Sequence, residues 1–306
     1  MFKVAVIGAS GLLGRAVASE LAATTGWQIA QTAFRRAAAH QTPLDIRDPH
    51  ALARYVEREA PDAIVIAAAE RRPDVCEQDP AAARALNVDA VRDLATAARG
   101  CGAWVLSIST DYVFDGTTPP FRCDDPPNPL NAYGRSKLDG EQALLDSTDA
   151  GLVLRLPLLY GPIVDWRESA VTSLVPAIAA SARLGGNAKP AVMDAWATRY
   201  PTFTPDVAFV IRELLARRAD GKPVCGIAQW SGDEPMTKYE IAQRLAAALN
   251  LNARLIAQTR PTDATPRPRD CHLDSHRLEA LGIGRRTPFD TAIRAVLDAF
   301  PWRDNA

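Results

Sequence analysis

The stretch from Lys3 to Glu20, KVAVIGASGLLGRAVASE, constrains this chain more than any other. Val4, Ala5, Val6 and Ile7 form a short apolar run of the kind that makes a strand buried on both faces, and glycine interrupts it at once. Gly8, Gly11 and Gly14 follow at three-residue intervals and lead into Leu12, Leu13, Ala16, Val17 and Leu21 at helical spacing. The order is strand, tight turn, helix. The first glycine allows the turn, the second lets a pyrophosphate approach the backbone, and the third lets helix pack on strand. The helix N-terminus adds unpaired N–H groups and a positive dipole end. Glycine turns also join elements that bind nothing, but a strand before and a helix after point to a nucleotide site.

The pattern then continues. Gln28–Phe34 has the composition of a second strand and ends in Phe34, Arg35 and Arg36. A site for NAD usually carries an acidic residue there for the ribose 2′-hydroxyl, whereas arginine suits a 2′-phosphate. NADP(H) is therefore the expected cofactor, against the plainer reading of a solvated arginine pair. Leu44–Asp48 returns toward the sheet, Pro49 opens a helix to about Glu59, and Asp62–Ala69 is a strand ending in Ala67, Ala68 and Ala69, whose small side chains leave room for a ribose or adenine. Asp79–Arg99 is alanine-rich and helical with Asn87 inside it, and Ala103–Ile108 is the next strand. This alternation predicts an α/β fold with a parallel, doubly wound sheet of the Rossmann type and its ligand at the carboxyl ends of the strands.

Ser107, Ser109 and Thr110 then fall at a strand end facing that crevice. The loop Asp111–Leu130 is long and rich in Pro and Asp, and Asn131 caps a helix that carries Tyr133 and Lys137 one turn apart on one face. An ammonium beside a phenol favours the phenolate, so the spacing predicts a Tyr133 acidified by Lys137 and able to exchange a proton with a carbonyl or alcohol oxygen. Thr110 is placed to hydrogen-bond the same oxygen.

Composition excludes other classes. The 306 residues carry a net charge of -1, which gives no support to nucleic-acid binding. No apolar run reaches membrane-spanning length and the N-terminus enters a strand without a signal-peptide pattern, so a cytoplasmic protein with no membrane partner is expected. Cys76, Cys101, Cys123, Cys225 and Cys271 are odd in number and never spaced Cys-x-x-Cys, and the four histidines include one pair at helical spacing that no flanking Cys or Glu completes into a metal set; neither disulfides nor a metal site is expected.

Further along, Gly151–Leu156 is a sixth strand, Trp166–Leu184 reads as an amphipathic helix, and Ala191–Thr202 as a loop carrying Asp194, Trp196, Arg199 and Thr202. Arg199 suits either a substrate phosphate or a surface ion pair. Pro205–Arg218 is a helix packing back on the sheet and Val224–Trp230 a short strand. Thr237 and Glu240 form a capping box for a helix through Asn250, Arg260–Asp270 is an arm over the site or a connector, and Leu278–Gly284 with a helix to about Phe300 completes the chain. The division expected is a nucleotide-binding unit over 1–160, with 203–230 packed onto it, and a substrate lobe over 161–202 and 231–300.

The stretches STDYVFDG (Ser109–Gly116) and PLNAYGRSKLDGE (Pro129–Glu141) resemble the signatures of dTDP-4-dehydrorhamnose reductases, within the extended short-chain dehydrogenase/reductases. FRRA, AAERRPDV, LNVDA, RYPT, MTKYE and LGIGRRTPF are similar to a second branch, the regulatory β subunits of methionine adenosyltransferase. The resemblance implies a triad of Thr110, Tyr133 and Lys137, and NADP contacts from Ser10, Gly11, Leu12 and Leu13, from Phe34 to Arg36, and from Asp45, Ile46, Ala67, Arg71, Tyr133 and Leu159. It further implies a sugar-nucleotide substrate, a homodimer as one assembly, and an adenosyltransferase partner on the second branch. ERRPD (Glu70–Asp74) departs from the reductase pattern, and PWRDNA (Pro301–Ala306) stands where the β subunits continue into a longer tail.

Overall fold

A computed structural model describes residues 1–35, 37–182, 189–262 and 264–300; Arg36 and the closing PWRDNA lie outside the described residues. Strand β1 (Phe2–Ile7) enters the glycine turn and helix α1 (Leu12–Ala22), followed by β2 (Trp27–Ala33) and the two-residue β3 (Thr42–Pro43). Helix α2 (Pro49–Glu59) starts where it does because the Asp48 carboxylate accepts the N–H groups of His50 and Ala51, with proline at the first helical position. After β4 (Ala63–Ile66) come α3 (Pro73–Gln78) and α4 (Pro80–Arg84), a π-helical turn at Ala85–Asp89, and α5 (Ala90–Cys101). The helix expected over Asp79–Arg99 thus carries a bulge, and Asn87 sits in it. Strand β5 (Trp104–Thr110), a 3-10 turn at Asp111–Val113, α6 (Ala132–Ser147) and β6 (Gly151–Leu156) complete this part.

The next stretch departs from the sequence expectation. Strand β7 (Leu159–Tyr160) leads not into one helix but into 3-10 turns at Trp166–Glu168 and Thr172–Leu174, and only then into α7 (Val175–Ser181). Side chains compete with the backbone here. Asp165 accepts the N–H of Arg167, Glu168 that of Val164, and Ser169 that of Val171. The segment expected as a loop opens with β8 (Ala191–Asp194) and ends in β9 (Thr202–Phe203), whose partners, far along the chain in one case, are invisible to local pattern. Helix α8 (Thr204–Ala219), β10 (Gly226–Gln229), α9 (Lys238–Ala248), β11 (Leu255–Gln258), α10 (His276–Glu279) and α11 (Phe289–Ala299) complete the chain order. The Thr237–Glu240 capping box is present.

Seven strands form one parallel sheet in the order β10-β6-β5-β4-β1-β2-β3, with β7 paired to β9 and β8 to β11. Alternation along β1 divides the core in two. Val4 and Val6 pack with Val17, Leu21, Val207 and Ile211 of α1 and α8, while Ala5 and Ile7 pack with Leu52, Val56 and Leu94 of α2 and α5. A third cluster, including Tyr160, Ile178, Met193, Ile241, Leu245, Phe289 and Ile293, holds together α7, α9, α11 and β8. The sheet order reverses beside β1, which puts the carboxyl ends of β1, β4 and β5 around one crevice.

Candidate active site

The turn after β1 is built as its glycines require. Gly8 has φ +87°, and a Cβ on it would stand 2.9 Å from Ala68 N. A Cβ on Gly14 would come within 2.1 Å of the Gly8 carbonyl oxygen, so α1 crosses β1 as closely as backbone allows. Gly14 therefore serves packing and does not line the crevice, whereas Gly8, Ser10, Gly11, Leu12 and Leu13 do. The crevice is a cleft of about 780 Å³.

At one end of it stand Phe34, Arg35, Asp45, Ile46 and Arg47. Arg47 carries no signal in the sequence, yet it holds the Asp45 carboxylate with two hydrogen bonds of 2.8 and 2.7 Å, which lowers that carboxyl's pKa. The guanidinium carbons of Arg35 and Arg47 lie 5.8 and 5.3 Å from the Phe34 ring centre. The middle of the cleft is walled by Ala67, Ala68 and Arg71 on one side and Leu159 on the other. Two contacts bridge it. Arg71 donates to the Arg167 carbonyl at 3.2 Å, and Arg15, on α1, grips the Glu168 carboxylate through bonds of 3.1 and 2.6 Å.

The far end brings Thr110, Tyr133 and Lys137 together. Asn131 caps α6 by accepting the Gly134 N–H at 2.9 Å, and a Cβ on Gly134 would lie 2.2 Å from the Tyr112 carbonyl oxygen. That closeness carries Tyr133 onto the turn after β5. Its phenol shares a hydrogen bond with the Thr110 hydroxyl. The Lys137 side chain is 5% exposed, and among the described residues its ammonium has no hydrogen-bond partner.

The expected acidification of Tyr133 by Lys137 is not what this arrangement produces. Burial of the phenol dominates and pushes its pKa above the ordinary value, with Asp111, Tyr112 and Cys76 adding to the rise and only the Thr110 hydrogen bond opposing it. Burial acts on Lys137 in the opposite sense and draws it down to about 8, against the pull of Glu141 one turn further along α6. Sequence spacing places the two groups correctly but cannot weigh desolvation.

Behind the triad lies an ion pair that no sequence signal announces. Arg155 on β6 donates to both carboxylate oxygens of Glu141, at 2.9 and 2.7 Å for the shortest contacts, with both side chains almost fully buried. Ser109 Oγ donates to the same carboxylate, and Arg155 stacks 5.0 Å from the Phe114 ring centre. Ser109 lines the cleft; Ser107, expected there too, lies one residue pair deeper in the strand and does not.

The substrate side is mixed. Arg199 is 5% exposed, lines the cleft, and donates through Nη1 to the carbonyls of Thr198, Pro268 and Arg269, so it is no surface ion pair. Thr202 is not brought to the cleft: its hydroxyl donates to Tyr200 O and accepts the Gly232 N–H, which ties two loops together. The arm around Pro268 does lie over the site. Asn131 donates to Pro266 O at 2.8 Å, and Arg267 lines the cleft while pairing with Asp74 at 3.2 Å. Among the described residues no group of three or more His, Cys, Asp or Glu is arranged to hold a metal, and no helix is long and apolar enough to cross a membrane.

The family described as the RmlD substrate binding domain matches residues 2–301. The chain belongs to that family. Similarity to individual proteins extends it. Methionine adenosyltransferase 2 subunit beta of Bos taurus is 44% identical over 303 residues, 97% of this chain and 88% of that protein. dTDP-4-dehydrorhamnose reductase of Salmonella typhimurium is 43% identical over 117 residues, 38% of this chain and 39% of that protein. Among solved structures, dTDP-4-dehydrorhamnose reductase from Bacillus anthracis in complex with NADP superposes with a TM-score of 0.83 at 22% identity, covering 98% of this chain and all of that one. The seven-stranded parallel sheet of this chain is the doubly wound fold that the sequence predicts, and the chain superposes on that neighbour over nearly its whole length.

Proposed function

We propose that this protein is an NADP(H)-dependent reductase acting on a keto group of a nucleotide-linked deoxysugar. The observation that carries the reading is the convergence of Thr110, Tyr133 and Lys137 on one wall of the cleft that opens at the glycine turn. The residues present fit the cofactor: a glycine cradle at an α1 N-terminus, arginine beyond β2, and a buried ammonium with no hydrogen-bond partner among the described residues. Ser10, Gly11, Leu12 and Leu13 would hold the pyrophosphate, Arg35 and Arg36 the 2′-phosphate, Asp45, Ile46, Ala67 and Ala68 the adenosine, and Arg71, Leu159 and Lys137 the ribose and nicotinamide half. Bound there, NADPH supplies hydride.

The chain's own residues supply the rest. Tyr133 holds the proton for the carbonyl oxygen, Thr110 orients that oxygen, and Lys137, as an ammonium, binds a ribose hydroxyl and stabilises charge developing on the phenol. Arg199 would face the substrate, with the arm around Arg267 covering it. The solved NADP complex and the reductase relative in Salmonella typhimurium support this reading. NADPH oxidation with dTDP-4-dehydro-6-deoxyhexoses tests it: turnover is expected, and Tyr133→Phe lowers kcat by about 10²–10⁴-fold. Undiminished activity in that variant removes the mechanism.

A second reading rests on the full-length similarity to methionine adenosyltransferase 2 subunit beta. On it, the same NADP(H)-filled cleft stabilises a subunit that works by contacting an adenosyltransferase. Mixing the protein with an adenosyltransferase catalytic subunit separates the two: altered kinetics without NADPH turnover favours the subunit, and turnover with no complex favours the reductase.

A further inference from the structure

Asp45 puts a carboxylate at the end of the cleft that the cofactor reading gives to a 2′-phosphate. It lines that end together with Phe34, Arg35 and Arg47, and its side chain is 33% exposed. A bare carboxylate repels a phosphate and competes for the guanidinium that would hold it. On their own, Asp45 and Arg35 would therefore work against each other.

Arg47 stands between them in effect. Its Nε donates to Asp45 Oδ1 at 2.8 Å and its Nη2 to Oδ2 at 2.7 Å, a two-pronged pair, and its backbone N–H adds a bond to Oδ1 at 3.1 Å. Each carboxylate oxygen has two lone pairs, so Oδ1 is fully used and Oδ2 keeps one. That one suits an adenine amino group, which both nicotinamide cofactors carry. The Arg35 charge reaches Asp45 and helps to hold its carboxyl below the usual range, after the larger effect of Arg47. Arg35 nevertheless makes no hydrogen bond or ion pair among the described residues. Its guanidinium carbon stands 5.8 Å from the Phe34 ring centre, and that of Arg47 stands 5.3 Å from the same ring. One aromatic surface thus serves two cations with different tasks.

We propose that Arg47 sets the preference for NADP(H) over NAD(H) by occupying the Asp45 carboxylate and so leaving Arg35 to the 2′-phosphate. This rests on the cofactor reading above. Arg47 acts through Asp45 and is a positioning residue. Protonation cannot take its place, because the Asp45 carboxyl is ionised at any working pH and only a counter-charge masks it.

The test is the ratio of the NADH to the NADPH dissociation constant, measured by isothermal titration calorimetry on the full chain. It needs no substrate, and it cancels what Asp45 contributes to the adenine that both cofactors share. In Arg47→Ala the bared Asp45 turns to Arg35, and the ratio should fall about 5-fold, through weaker NADPH binding. Adding Asp45→Asn to that variant should return the ratio to within about 2-fold of wild type, and Asp45→Asn alone should not lower it. A merely structural role for Arg47 predicts no such rescue. A ratio that Arg47→Ala leaves unchanged overturns the proposal. So does a fall that Asp45→Asn fails to restore, which would put Arg47 on the phosphate itself. In either case a wild type that prefers NADPH keeps the cofactor reading intact. A wild type that binds both cofactors equally, or neither, removes that reading and the proposal with it.

Discussion

Beyond β2, Arg35, Arg47 and Phe34 stand largely in solvent, whereas behind β5 and α6 the charged groups Asp111, Lys137, Glu141 and Arg155 are all buried. The same cleft thus handles charge in two ways. At the exposed end a guanidinium keeps its hydration until a ligand arrives, and its ionisation is fixed at any working pH. At the buried end each charge has lost water, so its state depends on its neighbours: Glu141 is held by Arg155, Lys137 is drawn down to about 8, and Asp111 is pushed up to about 6. On the proposed function, recognition belongs to the first end and proton movement to the second.

Three experiments break or sharpen that contrast. Glu141→Gln leaves Arg155 buried without a counter-charge, so unfolding free energy should drop by about 3–5 kcal/mol in denaturant titration. A loss under about 1 kcal/mol would mean that the buried end tolerates an unpaired charge. Lys137→Met tests the cost of the buried ammonium. Because the folded pKa of about 8 lies below the unfolded one, the unfolded chain binds more protons between about pH 8 and 10.5, and wild-type stability rises with pH across that window. The variant should therefore be more stable than wild type below pH 8, by up to about 3 kcal/mol, and the gap should close above about pH 10.5. A gap independent of pH would show that packing, not charge, sets it. Smallest is the exposed end: changing Arg35 and Arg36 to alanine should weaken NADPH binding about 10-fold more than NADH binding, or about 1.4 kcal/mol, and less at high salt. Equal losses for the two cofactors would take the 2′-phosphate away from this end.

Legibility in the sequence follows the same divide. The glycine turn, the βα alternation and the Tyr133–Lys137 spacing are local patterns, and each is readable because the physics that fixes it spans a few residues. The Arg155–Glu141 pair is not, since one partner sits mid-strand in an otherwise apolar run and nothing local says that it faces a helix. Thr202 reads as a substrate group because the resemblance to extended reductases places its loop over the substrate, but its hydroxyl is engaged by neighbouring backbone. Trp166–Leu184 has helical periodicity, but Asp165, Glu168 and Ser169 divert the backbone, and a bond from Arg15 holds the result. Asp111 reads as the first residue of a loop. Only the fold reveals which groups surround it.

The π-helical turn at Ala85–Asp89 fixes the phase of helix α5. A regular helix advances about 100° per residue, so the turn's extra residue resets which side of α5 meets the sheet. Asn87 anchors that reset, accepting the Glu70 N–H and donating to the Glu70 carbonyl and to Ser136 Oγ. Deleting a single residue here would leave composition and hydropathy almost untouched, but it would swing Val91, Leu94, Ala95 and Ala98 off the core by more than a quarter of a revolution.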